Sequence, residues 1–194
     1  MTHRLRSLAG IAAALVLLPA ATSLAATDTA TTATASPGKL SFKAQNKVFK
    51  AEGQFRNWRF TKVSIPGGDL EKGTVEIEVD TLSVEANAER LTAHLKEDDM
   101  LKTSAFPKAT IKLHNVRKGS DGTYTVDADL TLRGITKSVP AKFKVVGQDP
   151  LKVDGDAVIN RLDHGVYTPY NPADERSVEP EVRIRIEATL PESL

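Results

Sequence analysis

The residue types able to carry chemistry are few and scattered. Outside the first 25 residues the histidines are His94, His114 and His164, far apart and without His-x-x-x-His or carboxylate-rich spacing. That spacing does not build a metal site, and none is expected. His94 is expected to orient a helix through a hydrogen bond, and His114 to face solvent on a strand. Serines are present, but none stands in a Gly-x-Ser-x-Gly elbow beside a base, so no nucleophilic catalysis is read and the chain is not expected to be an enzyme. The acids Glu97-Asp98-Asp99 lack the spaced oxygens and glycine of a calcium loop and read as a solvated helix end. Arg161 and Asp163 form either an ion pair closing a loop or a site where the arginine meets a phosphate or carbonyl group.

Alternating strands must position these groups. Val75, Ile77 and Val79 alternate with acids, and Tyr124, Val126, Ala128, Leu130 and Leu132 alternate with polar residues. So do Val139, Ala141, Phe143 and Val145, and Val182, Ile184, Ile186 and Ala188. Each run is a strand with one buried face. Weaker strands are read at 40–44, 47–55, 58–65, 110–117 and 151–160, with turns at Pro66-Gly67-Gly68-Asp69, Gly119–Gly122 and Gly147–Pro150. About eight or nine short strands make a sandwich or an antiparallel barrel, which pattern alone does not separate. One helix of two to three turns is expected from an N-cap at Asn87, carrying Ala88, Leu91 and Leu95.

The N-terminus has a basic stretch with Arg4 and Arg6, an apolar run from Leu8 to Leu18 stopped by Pro19, and small residues at Ser23 and Ala25. These are the parts of a secretory signal peptide over 1–25 with cleavage after Ala25. Residues 26–38 read as a disordered spacer, and 39–194 as one domain. The chain carries 26 Lys plus Arg against 25 Asp plus Glu, a net charge of +1, which gives no reason to expect a nucleic-acid partner. It has no cysteine, so the core alone must hold an exported fold.

Two stretches carry a resemblance. His94-Leu95 followed by KEDDMLKTSAFPKATI, and LTLRGITKSV from Leu130 to Val139, are similar to the two most recognisable motifs of the YceI-like family. Asn160-Arg161-Leu162-Asp163-His164-Gly165 resembles its later Arg-x-Asp-aromatic-Gly element, with His164 in place of the aromatic. The first strand has Phe42, Phe49 and Phe55, followed by Asn57-Trp58, where many members carry histidines.

The resemblance implies a lipocalin-like β-barrel in the periplasm. Its tunnel would hold a long isoprenoid, polyprenyl or quinone, or a fatty-acid derivative, with no cofactor required. Tunnel-lining candidates are Trp58, Phe60, Val75, Ile77, Val79, Leu91, Leu95, Ile111, Leu113, Tyr124, Val126, Ala128, Leu130, Phe143, Val145, Ile184 and Ile186. Arg161 and His164 are the head-group candidates. Transient contact with the envelope membrane and a dimer are compatible with this reading. The alternative is a packed β-sandwich that recognises another envelope protein through a sheet edge, with no cavity.

Overall fold

The computed structural model describes residues 36–167 and 169–192. Its core is one antiparallel sheet built from β1 (Gly38–Gln45), β2 (Lys50–Phe55), β3 (Trp58–Ser64), β4 (Thr74–Asp80), β5 (Val84–Ala86), β6 (Lys108–Lys118), β7 (Tyr124–Leu132), β8 (Ile135–Gln148), β9 (Leu151–Asn160) and β10 (Glu181–Thr189). The spatial order is β3-β4-β6-β7-β8-β9-β10-β1-β2-β5. Only Arg56 and Asn57 separate β2 from β3, and only Thr81–Ser83 separates β4 from β5. These are two bent strands, and β2 pairs with β5 while β3 pairs with β4 across the bends. Ten ladder segments are therefore eight passes of the chain. The halves of each bent strand sit at opposite ends of the spatial order, which obliges the sheet to curl back on itself.

The alternation read from sequence sets the two faces. On β7, Val126, Ala128 and Leu132 are buried while Thr125 is exposed. The β7–β8 connection is a two-residue turn in which Arg133 and Gly134 both have positive φ, +51° and +74°, directly after the Leu132 pair with Ile135. That is the hairpin geometry that matches strand twist.

Several expectations shift. The leader over 1–25 and the spacer up to residue 35 lie outside the described residues. The spacer does not run to Gly38, because Ser36 Oγ accepts from the Trp58 N–H and Gly38 already pairs with Ala188. Glycine belongs in that strand, since a Cβ there would lie 1.9 Å from the Glu187 carbonyl oxygen.

The helix α1 is shorter than expected, Glu89–His94, and its N-cap is Ala88 rather than Asn87. The Asn87 N–H donates to the Glu52 carbonyl and so continues the β2–β5 ladder by one residue. Thr92 Oγ1 accepts from the Ala86 N–H and ties α1 to the end of β5. The second strand starts at Lys50, not Lys47, because Asn46–Phe49 form the turn before it.

Candidate ligand cavity

The inward residues of the curled sheet do not fill the space they enclose. A cavity of about 280 Å³ remains, with walls almost wholly of carbon. Its size is near the lower end of pockets that take a small organic ligand. Of the residues expected to line it, β3 supplies Phe60, β4 supplies Val75, Ile77 and Val79, and β6 supplies Ile111 and Leu113. Val126, Ala128 and Leu130 come from β7, Phe143 from β8, Ile184 and Ile186 from β10, and Leu95 from the residue after α1. One sheet curling around a cavity also replaces the packed two-sheet sandwich as the architecture.

Four expected residues are not on the wall. Trp58 is buried, but its ring packs edge-on against Phe60 at 5.5 Å, so Phe60 is the aromatic that faces the cavity. The Trp58 indole N–H has no hydrogen-bond partner. Leu91 packs on the core from α1 without reaching the cavity. Tyr124 stacks on Phe143, with ring centroids 4.9 Å apart and planes 8° apart, and Lys118 lies over its ring. Val145 is only half-buried and pairs with Val153 just before the register shift at Gly147, which re-aims the end of the strand.

Other wall residues were not expected. Leu40, Phe42 and Ala44 of β1 and Phe55 of β2 follow the ordinary alternation and could have been read from it. Met100 and Leu101 sit in turns with no periodicity and reach the cavity only through the tertiary fold.

Of the two head-group candidates Arg161 lies on the cavity wall and His164 does not, and the side chains of both are bonded to backbone carbonyls. Arg161 is 4 % exposed and forms no ion pair with Asp163 among the described residues. Its Nε donates to Glu179 O at 3.0 Å, Nη1 donates to Val166 O at 2.7 Å and to Tyr167 O, and Nη2 donates to Val178 O. Four of its five N–H donors are thus spent on backbone carbonyls. Burial holds its pKa below the ordinary arginine value, a lowering that the nearby Tyr167 and Tyr170 only partly offset. His164 is 1 % exposed and donates from Nδ1 to the Ile135 carbonyl at 3.1 Å. Both residues fasten one end of the barrel. Asn160 starts that segment by accepting from the Leu162 N–H, and Gly165 ends it at φ +66°.

A second clamp was missed from sequence. Arg133 at the hairpin turn donates to Asp98 O at 3.2 Å, Asp99 O at 3.3 Å, Met100 O at 2.8 Å and Gly165 O. It holds the turns that carry Met100 and Leu101 against the sheet. The remaining histidines pair with acids: His94 Nδ1 with Glu97 at 2.7 Å, and His114 Nε2 with Asp129 at 3.0 Å. His114 is therefore half-buried on its strand rather than simply facing water. A hydrogen bond from Ser138, outweighing a modest burial effect, and then His114 hold Asp129 below the usual carboxylate range. His94, Glu97 and Asp99 bring ligand-type atoms within 4.8 Å of one another at the exposed turn after α1.

Comparison with known proteins places this geometry in a family. The model described as the YceI-like domain matches residues 26–190. A UPF0312 protein of Shewanella denitrificans is 36% identical over 91 residues, covering 46% of this chain and 48% of that protein. The chain thus spans about half the length of the relatives it matches at this level. Among solved structures, Burkholderia cenocepacia BcnA aligns with a TM-score of 0.70 at 20% identity, over 79% of this chain and 96% of BcnA. A polyisoprenoid binding domain from Saccharophagus degradans aligns with a TM-score of 0.54 at 15% identity, over 80% of this chain and 96% of that domain.

Proposed function

This chain belongs to the YceI-like family, and on that premise we propose that it is a non-enzymatic carrier that holds a single lipid chain in its barrel. The observation that carries the proposal is the cavity, about 280 Å³ of unfilled space lined almost wholly by apolar side chains. A core that only had to be stable would close that space, because voids forfeit packing. An apolar chain entering it gains about 0.8 kcal/mol for each methylene removed from water. Affinity can therefore be built without a polar contact, which suits a wall whose arginine, Arg161, has four of its five N–H donors on backbone carbonyls.

The ligand is an isoprenoid, a polyprenyl chain or quinone, with fatty-acid derivatives as the next class. The similar fold of the Saccharophagus degradans domain, named for polyisoprenoid binding, supports the first choice. The leader read over residues 1–25 would deliver the protein to the periplasm, where such lipids cross between membranes. Two measurements test the proposal. Native mass spectrometry with solvent extraction should find one lipid per protein, and a protein purified from its own host that never carries lipid would refute the carrier. Intact mass should place the mature N-terminus at Ala26, and a retained leader would refute export by cleavage.

A further inference from the structure

Most large apolar residues of the sheet face inward; among the exposed ones, Val48 and Phe49 stand side by side on the β1–β2 turn, whereas Leu82, Ile135, Val146 and Val158 are scattered singly. Val48 is 65 % exposed and Phe49 46 %, between Lys47 and Lys50, which are both exposed. This tip is held in shape. Asn46 Oδ1 accepts from the N–H of Val48 at 2.9 Å and of Phe49 at 2.7 Å, and the Asn46 N–H donates to Phe49 O at 2.9 Å. Lys47 N donates to Glu175 O and Asn46 Nδ2 donates to Arg176 O at 2.8 Å, which fastens the tip to the 171–179 loop. A braced turn that keeps a phenyl ring about half in water forgoes about half of the hydrophobic gain that ring could give the free protein.

We propose that the Lys47–Lys50 tip docks on an anionic lipid bilayer, with Val48 and Phe49 entering the interfacial zone and the two lysines staying at head-group level. The inference rests on the carrier reading, since a protein that exchanges membrane lipid must meet the membrane. Charge and size choose the occupant. Lys47 and Lys50 flank the apolar pair and form no ion pair among the described residues; of the acids near the tip Glu52 is ion-paired to Lys43, while Glu175 on the adjoining loop is exposed and bonds the tip only through its carbonyl. Glu52 is bonded to Lys43 at 2.8 Å, Glu179 to Gln45 at 2.9 Å, and Asp174 accepts from the Arg176 N–H at 2.9 Å. A protein partner needs roughly 800 Å² of matched surface on each side, far more than a four-residue tip offers. A bilayer needs only the tip, with cationic side chains drawn to anionic head groups. The position also fits. Leu40, Phe42 and Ala44 alternate along the cavity wall on β1, the strand that runs into the tip, and Val178 of the adjoining loop lines the same cavity.

Flotation with phosphatidylcholine vesicles, with and without roughly 30 mol% phosphatidylglycerol, tests this on the parent and two double variants. All carry the same N-terminus, so differences report the tip. The parent should float with anionic vesicles and be released as salt rises. Val48→Asp with Phe49→Asp should lower the bound fraction by more than about tenfold. Lys47→Glu with Lys50→Glu should do so by about tenfold or more. Both variants should melt with the parent and keep its lipid load by native mass spectrometry. Phe49→Trp should show a blue-shifted emission on mixing with anionic vesicles, over the constant signal of buried Trp58. A parent that ignores anionic vesicles, a variant that binds like the parent, or a Phe49→Trp emission that does not move would overturn docking. A parent that docks but carries no lipid would instead sink the carrier reading and leave the docking surface standing.

Discussion

Replacing Ala128 with phenylalanine puts a ring into the cavity from the middle of β7, where Ala128 is 6 % exposed and lies between Leu113 and Val139 on the neighbouring strands. In a filled core the added ring would cost about 1–3 kcal/mol through overpacking. Here the side chain faces about 280 Å³ of free space. A cavity of about 150 Å³ is enough to accept a benzene. The lipid-free variant should therefore unfold within about 1 kcal/mol of the parent. The ring should also evict ligand: if it displaces about four methylenes at roughly 0.8 kcal/mol each, affinity falls by about 3 kcal/mol, on the order of 100-fold. Urea denaturation after delipidation gives the first quantity and extracted lipid per protein the second. Asp127→Ala, which removes only an exposed bond with Asn115, is the control and should change neither by much. A variant that loses 2 kcal/mol or more by this overpacking scale, or that keeps the parent's lipid load, would refute the reasoning.

Other perturbations read the supports of the site. Gly134→Val should cost about 2 kcal/mol and several degrees of melting temperature by calorimetry, because Gly134 has φ +74° and a Cβ there would lie 3.2 Å from the Phe106 ring. A melt within about a degree of the parent would contradict the turn geometry. Arg161→Met should lose at least about 3 kcal/mol in urea by stranding four carbonyls, and Arg161→Lys should recover only part of that; a loss under about 1 kcal/mol would show the clamp to be dispensable. Glu78 accepts from Arg59 at 2.8 Å and Lys108 at 3.1 Å. Burial raises its pKa, but Lys108 and Arg59 outweigh that and hold it below the ordinary value. A depressed carboxyl stabilises the fold above its unfolded pKa, and that contribution is lost as pH falls through the folded one. Glu78→Gln should therefore cost about 0.5–1 kcal/mol at neutral pH, with the gap to the parent closing in acid; a gap independent of pH would contradict the pairing.

The strands were legible where one face meets water and the other carbon. Tyr124 to Leu132 and Val182 to Ala188 show this, because period-two alternation is written directly into residue type. The same signal cannot say how far along the barrel a residue lies, which is why inward-reading Trp58 and Tyr124 were assigned to a wall that Phe60 and Phe143 occupy. β5 has three residues, too few to show a period. The arginines mislead in another way. Charge on Arg161 and Arg133 suggests contact with water or ligand, whereas their partners are main-chain carbonyls of distant turns, which leave no mark in side-chain pattern.

The sheet has two end strands: β3, which pairs only with β4, and the three-residue β5, which pairs only with β2. An open strand rim is the usual template on which a second molecule adds its own strand, the first step toward aggregates and fibrils. On β3 the ladder slips between Phe60 and Lys62; Arg59 is paired with Glu78 of β4, whereas the exposed Lys62 forms no ion pair among the described residues. The slip breaks the regular spacing that an incoming strand would need, and the unpaired charge of Lys62 penalises a copy laid alongside. Ser36 meanwhile occupies the Trp58 N–H at the start of that rim. The slip and Lys62 thus make this rim a poor template for an added strand, so the residues that finish the barrel also guard its edge.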